Sequence, residues 1–286
     1  MSASTLLPTG RFQKILVATD GSNFSEGALH VAIALAKVTG ATLYPMRMVI
    51  SNPEIDTLVP DLAHSKEVTA RKDLETIAQK MTTEAIAAIP VVKRGIHPHA
   101  EILAASEEIQ ADLIVMGRRG IRGLARLMVG EATARVVAQS RCKVLVVPKD
   151  AHLWQKGILL AVDGSRYSDR AAVTAGKLAT LFQIPLTVVS VVRNVHGEKR
   201  RQEATEAMQR ICLALEQDEP GIQVSGDVVN GDSTAQVIVQ AASDRGADLI
   251  IGGSHGRSGL ERVFLGSVME RIIGLAKVPI LTVKGG

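Results

Sequence analysis

Residues 13–19 (Gln-Lys-Ile-Leu-Val-Ala-Thr) are dense in branched apolar side chains and stop at Asp20-Gly21-Ser22, the pattern of a buried strand running into a turn. Residues 23–39 then place Ala28, Leu29, Ala32, Leu35 and Ala36 at helical spacing, and Gly40 stands where a helix C-cap belongs. The same alternation predicts strands over 42–49, 90–96, 112–116 and 143–147, with helices over 61–88, 98–110 and 131–140. Residues 51–60 carry two prolines and are expected to be a loop, and residues 117–130 form a glycine-rich loop. From residue 151 the order repeats: strand 157–162, Asp163-Gly164-Ser165, helix 166–182, strand 186–192, helix 198–217, strand 222–229, helix 233–245, strand 248–252, a loop, helix 267–276 and strand 278–283.

Strict alternation of strands and helices implies a parallel sheet covered on both faces, with right-handed crossovers. The expected fold class is α/β, as two tandem five-stranded doubly wound parallel-sheet domains, residues 1–150 and 151–286. Sheets of this kind take ligands beyond the carboxyl ends of their strands, where the strand order reverses. Both Asp-Gly-Ser turns and both glycine loops lie at such ends.

The two halves are copies. Residues 111–148 align with 247–284 at a constant offset of 136 without a gap, with 13 of 38 positions identical. Asp20 maps to Asp163 at an offset of 143, so the first copy holds seven extra residues between turn and glycine loop. Residues 51–60 are the natural place for much of that excess. They would lie near the mouth of the first site, as a lid, as a partner surface or as a tolerated insertion.

Composition narrows the class. Hydrophobic residues make up 46% of the 286 and charged residues 22%, a globular balance, while aromatics are only 2%, so the cores must be aliphatic. No apolar run approaches the roughly 20 residues of a membrane span, and the first residues lack a basic stretch leading into an apolar one. A cytoplasmic location is expected, with no membrane partner. The net charge of +4 is mild, and the densest basic run, Lys199-Arg200-Arg201, has Glu198, Glu203 and Glu206 around it, so no nucleic-acid partner is expected. Cys142 and Cys212 occupy non-equivalent places in no metal or redox spacing and are expected to be reduced.

The chemistry concentrates in residues 247–284. Gly253 and Gly256 allow close approach of the main chain to a ligand, and Gly266 does so again where a helix begins. Ser267 adds a hydroxyl and an N–H in the first helical turn, where the helix dipole favours an anion. A tight turn alone also accounts for the glycines, and Asp163 at its strand end could cap the following helix. His97-Pro98-His99 lacks a third metal ligand and reads as a loop pair at a helix start; His255 is either a phosphate contact or a solvent-facing turn residue. No metal site is expected. The chain has no Gly-x-x-x-x-Gly-Lys-Ser/Thr loop, no catalytic-triad spacing and no evident water-activating base, so no catalytic residue is assigned.

The spaced pattern Gly253-x-x-Gly256, nine residues, Gly266-Ser267, preceded by Ala-Asp-Leu-Ile and paired with Asp163 at a strand end, closely resembles the nucleotide-binding pattern of the universal stress proteins. The resemblance covers both halves and implies a tandem, Rossmann-like member of that family: an ATP-binding protein of regulatory or protective role in stress response. By that resemblance Asp163 contacts the adenine base and the backbone of Val191 bonds the base edge. Gly253, Gly256, Gly266 and Ser267 surround ribose and phosphates, with Arg257 and Ser254 as lesser candidates. It also implies that the two fifth strands pair antiparallel about a pseudo-two-fold axis, an internal version of a dimer, with a homodimer of tandems and a protein client as further partners.

In the first half Asp20, Met48, Gly117, Gly120 and Gly130 match the pattern, but Glu131 stands where Ser267 does. A carboxylate there competes with phosphate for the helix dipole and repels a triphosphate. Arg118, Arg119, Arg122 and Arg126 crowd the same loop, and one of them is expected to hold Glu131. The expectation is nucleotide in the second half and a weak, altered or empty first site. Two rival classes stay open: a slow ATPase or adenylate-transferring enzyme using Asp163 and Ser267 with Mg2+, and an interaction scaffold with vestigial sites.

Overall fold

The computed structural model describes residues 12–58, 60–118, 129–195, 197–256 and 265–284. The first half runs β1 (Lys14–Thr19), α1 (Asn23–Thr39), β2 (Thr42–Ile50), α2 (Pro53–Leu58), α3 (Pro60–Thr83), β3 (Val91–Gly95), α4 (Pro98–Glu108), β4 (Leu113–Gly117), α5 (Glu131–Gln139) and β5 (Lys143–Val147). The second runs β6 (Ile158–Val162), α6 (Arg166–Phe182), β7 (Leu186–Val192), α7 (Glu198–Asp218), β8 (Val224–Asn230), α8 (Thr234–Asp244), β9 (Leu249–Gly253), α9 (Ser267–Leu275) and β10 (Ile280–Val283).

The strands form one sheet of ten in the order β3-β2-β1-β4-β5-β10-β9-β6-β7-β8. Within each half every pairing is parallel, and the order reverses between β1 and β4 and between β6 and β9. The halves join through β5 and β10, which pair antiparallel as Ile280 with Val146, Leu281 with Leu145 and Thr282 with Val144. Leu145 and Leu281 are equivalent in the duplication, so the pseudo-two-fold axis passes between them. The antiparallel seam expected of the fifth strands is therefore present, and neither remains an edge.

Two apolar layers cover the sheet, and each is continuous across the seam. On one face α1, α3, α6 and α7 bury residues such as Leu35, Met81, Leu178 and Leu215 against Leu145 and Leu281; on the other α4, α5, α8 and α9 bury Ile102, Val136, Ile238 and Ile273. Both layers are aliphatic, as the shortage of aromatics requires. Gly40 takes φ 74° as the C-cap of α1, and its N–H donates to the Ala36 carbonyl at 2.7 Å.

The repeated Ala-Asp-Leu-Ile has a structural duty at the amino ends of the strands, away from the glycine loops. Asp248 accepts backbone N–H bonds from Gln155 at 2.8 Å, Lys156 at 3.0 Å and Gly157 at 3.1 Å, and Asp112 accepts one from Gln13 at 2.7 Å. Each carboxylate ties the start of its half's first strand to the start of the fourth.

Two expectations fail. Residues 51–60 are not a plain loop: Pro53 and Pro60 open α2 and α3, because proline at the first helical position lacks only an N–H that would have had no acceptor there. The helix expected to reach residue 88 stops at Thr83, where Ala85 adopts φ 59° and the Ile86 N–H turns back to the Met81 carbonyl at 3.0 Å.

Candidate functional site

In the second half three chain segments meet at the switch point: the turn after β6, the loop leaving β9 and the start of α9. Asp163 sits at the carboxyl end of β6. Its Oδ1 accepts from the Ser165 N–H at 3.0 Å and the Ser168 hydroxyl at 3.2 Å, bracing the start of α6, while Ser165 caps that helix by accepting from the Ser168 N–H at 3.3 Å. Its other oxygen faces the glycine loop: a β-carbon on Gly256 would lie 2.7 Å from Asp163 Oδ2. Bracing a helix and facing the loop are thus two oxygens of one carboxylate. Gly164, at φ 76°, makes the turn between strand and helix.

The loop is anchored at both ends. Ser254, almost fully buried, donates its N–H to the Val283 carbonyl at 3.0 Å and accepts the Gly266 N–H at 3.1 Å. A β-carbon on Gly266 would stand 3.1 Å from that same Ser254 oxygen, so this close approach of the loop to the helix start requires little bulk. Gly266 is the N-cap of α9 and Ser267 its exposed first residue. The first N–H groups of a helix have no partner within it and carry the positive end of its dipole, a ready anion site. Ser254 Oγ and His255 Nδ1 lie 3.0 Å apart, and the His255 ring is 5.5 Å from that of Tyr167.

Gly253 has a different surrounding from the one expected of it. A β-carbon there would meet Tyr167 Cβ at 2.6 Å, so its bareness serves the packing of α6 against β9. Val191 is the last residue but one of β7, in register with Val229. Arg257 lies outside the described residues. Among the described residues no three His, Cys, Asp or Glu side chains gather in a way that could hold a metal ion.

The first half places Asp20, Met48, Gly117 and Gly130 around a cleft of about 400 Å³ at the carboxyl ends of β1 and β4; Gly120 lies outside the described residues. Asp20 Oδ1 accepts the Ser22 N–H at 3.0 Å, parallel to Asp163 and Ser165. Among the contributors to this wall that went unnoticed in the sequence are Met46 and Ile50, which share a face of β2 with Met48, and Thr133 on α5. Period-two spacing along β2 is the signal that marks the first two. A size exchange relates the halves, since Met116 and Thr133 correspond to Gly252 and Met269. A β-carbon on Gly252 would lie 2.7 Å from Met269 Cε, so the methionine fills from the helix the space its counterpart fills from the strand.

Of the loop arginines expected to hold Glu131, Arg119, Arg122 and Arg126 lie outside the described residues, and Arg118 is turned elsewhere. Glu131 pairs with Arg135 one helical turn on, at 2.8 Å, a local contact that costs little chain ordering. Arg118 instead crosses the seam. Its Nη1 donates to the carbonyls of Ile273 at 2.8 Å, Gly274 at 3.0 Å and Ala276 at 2.6 Å, capping the carboxyl end of α9. Burial lowers the Arg118 pKa from its ordinary value. Lys284 repays the contact, its Nζ standing 3.3 Å from the Ala138 carbonyl and 3.4 Å from that of Gln139 at the end of α5. Each half thus supplies a cation to the negative end of the other half's last helix.

The strand order reverses once in each half, with a carboxylate at the strand end beside it, so the chain is a tandem of two doubly wound α/β units. The family follows from comparison: a model of the universal stress protein family matches residues 11–148 and again 156–284, and the chain belongs to that family. A universal stress protein of Mycolicibacterium smegmatis is 26% identical over 293 residues, covering 94% of this chain and 96% of that one. Universal stress protein Rv2005c of Mycobacterium tuberculosis is 28% identical over 187 residues, and the match spans 61% of this chain and 62% of that relative. The crystal structure of a universal stress protein from Archaeoglobus fulgidus DSM 4304 superposes with a TM-score of 0.76 at 24% identity, covering 96% of this chain and 98% of that one, a likeness of fold. No helix among the described residues is long and apolar enough to cross a membrane.

Proposed function

We propose that the protein is a cytoplasmic ATP-binding regulator of the stress response whose nucleotide is held mainly by the second half, without dedicated catalysis. The observation that carries the reading is the second half's convergence of Asp163 Oδ2 on Gly256, close to an α9 start whose cap, Gly266, admits the chain within hydrogen-bonding distance of Ser254. A carboxylate facing the loop is suited to accept from an exocyclic amine, and the start of α9 is suited to an anion. Val191 at the end of β7, Gly256, Gly266 and Ser267 would complete the binding surface, with Arg257 as a further candidate. Adenine would supply the flat base and the triphosphate the negative charge, with Mg2+ as an optional companion of the phosphates.

The test is titration of the full chain with labelled ATP, in wild type, Asp163→Ala and Asp163→Asn. Loss of one hydrogen bond to a charged group costs about 1.5–3 kcal/mol, so Asp163→Ala should weaken binding roughly 10- to 150-fold. Asp163→Asn can keep the Oδ1 contacts that brace α6 while losing the charge, and should also bind weakly. Unchanged affinity in both variants contradicts the assignment. Mass spectrometry of whatever small molecule leaves the purified protein on denaturation tests ATP itself.

A further inference from the structure

Helix α9 is pinned at its two ends by different halves of the chain. At its start the Gly266 N–H donates to the Ser254 carbonyl at 3.1 Å, so the second half fixes the amino end through its own loop. At its finish the helix has no basic residue in the last turn, and Gly274 weakens that turn, because glycine loses more freedom on ordering than other residues. The cap comes from the first half, where Arg118 Nη1 donates to the carbonyls of Ile273, Gly274 and Ala276. The Arg118 main chain is itself held to the seam strand β5, its N–H donating to the Val147 carbonyl at 2.8 Å.

The contact is one-sided. Ser254 stands in the second half where Arg118 stands in the first, and Pro148 stands in the first where Lys284 stands in the second. Helix α5 receives only the Lys284 amine, at 3.3 and 3.4 Å. The closer cap therefore falls on the helix that begins at Gly266 and Ser267, not on the one that begins at Glu131. Helix α9 has 9 residues, and at about 1.5 Å per residue its ends lie about 14 Å apart. Over so short a helix the partial negative charge at the carboxyl end opposes the pull of the amino end on an anion. A guanidinium at the carboxyl end cancels that opposition and adds a positive charge of its own. It also fixes the axial position of the helix, and with it the place of the first N–H groups.

We propose that Arg118 is a positioning residue for the anion end of the second half's site, so that the first half sets how strongly the second half holds phosphate. This role rests on the reading of the second half as a nucleotide site, and it concerns affinity for the phosphates rather than for the base.

Titration of the full chain with labelled ATP, and displacement of that ATP by adenosine, tests it in Arg118→Met, Arg118→Gln, Arg118→Lys, Lys284→Met and Asp163→Ala. A unit charge about 14 Å from a single opposite charge, at effective dielectric constants between about 20 and 80, changes binding by roughly 2- to 7-fold, and a triphosphate carries several charges. Arg118→Met and Arg118→Gln should therefore weaken ATP binding about threefold or more, while displacement by adenosine stays within about twofold of wild type. Arg118→Lys keeps the charge and should recover most of the loss. Arg118→Gln, which keeps a donor for the carbonyls, leaves the test decisive if Arg118→Met does not fold. Lys284→Met strips the cap from α5 alone and should leave ATP affinity as in wild type. The inference alone is overturned if Asp163→Ala weakens ATP binding but Arg118→Gln does not, if Arg118→Gln weakens ATP and adenosine equally, or if Lys284→Met costs as much as Arg118→Gln. Wild type that binds no ATP, or Asp163→Ala that binds it unchanged, brings down the reading of the second half and this inference with it.

Discussion

Arg118→Met removes a guanidinium from the end of α9 while keeping most of its packing volume. Nη1 carries two hydrogens, so its contacts at 2.6, 2.8 and 3.0 Å amount to about two shared bonds rather than three. At about 1.5–3 kcal/mol for each bond to a charged group the gross loss is about 3–6 kcal/mol. Relief from holding a half-buried charge offsets part of this, and a net loss of about 2–3 kcal/mol is expected. With roughly 2–4 °C per kcal/mol for chains of this size, the thermal midpoint should fall by about 4–12 °C. Because Arg118 belongs to one half and its acceptors to the other, the variant should also broaden or split the urea transition. Arg118→Lys keeps a cation and should recover part of the loss. A midpoint within about 1 °C of wild type, with an unchanged urea slope, would refute the argument that this contact couples the halves.

Other consequences can be measured on the same protein. A β-carbon at Gly27 would lie 2.3 Å from the Lys149 carbonyl oxygen, so Gly27→Ala should lower stability by about 1–3 kcal/mol by urea unfolding, although alanine is the better helix former. Asp248→Ala strips acceptors from three backbone N–H groups and should cost about 2–3 kcal/mol by the same assay while leaving ATP affinity intact, because it acts at the far end of the sheet. Burial pushes the Cys142 thiol up to about 11, so at pH 8 almost none is thiolate; iodoacetamide should label it only after denaturation, read by peptide mass spectrometry. Rapid native labelling would contradict that burial.

Much of the architecture was legible because strand and helix periods alternate without interruption and the copies reinforce each other. Residues 51–60 were misread because proline marks helix starts as readily as loops, and the sequence alone does not separate the two at Pro53 and Pro60. The early end of α3 was hidden because Ala85 in a left-handed conformation leaves no compositional trace. Asp163 was visible as a strand-end carboxylate, but its division between α6 and Gly256 depends on the orientation of the turn. Glu131 was recognised as the anomaly, and among the described residues its partner is Arg135, an i,i+4 neighbour that the helical spacing also offered. Arg118 was beyond sequence reasoning, since its acceptors lie 155 to 158 residues away across a seam only the assembled sheet creates.

The most direct test of the central claim is a crystal structure of the full chain grown with ATP. The account predicts adenine against Asp163 and Val191, with phosphates at the amino end of α9 beside Gly266 and Ser267. Triphosphate density in the first-half cleft beside Glu131, with the second half empty, would contradict it.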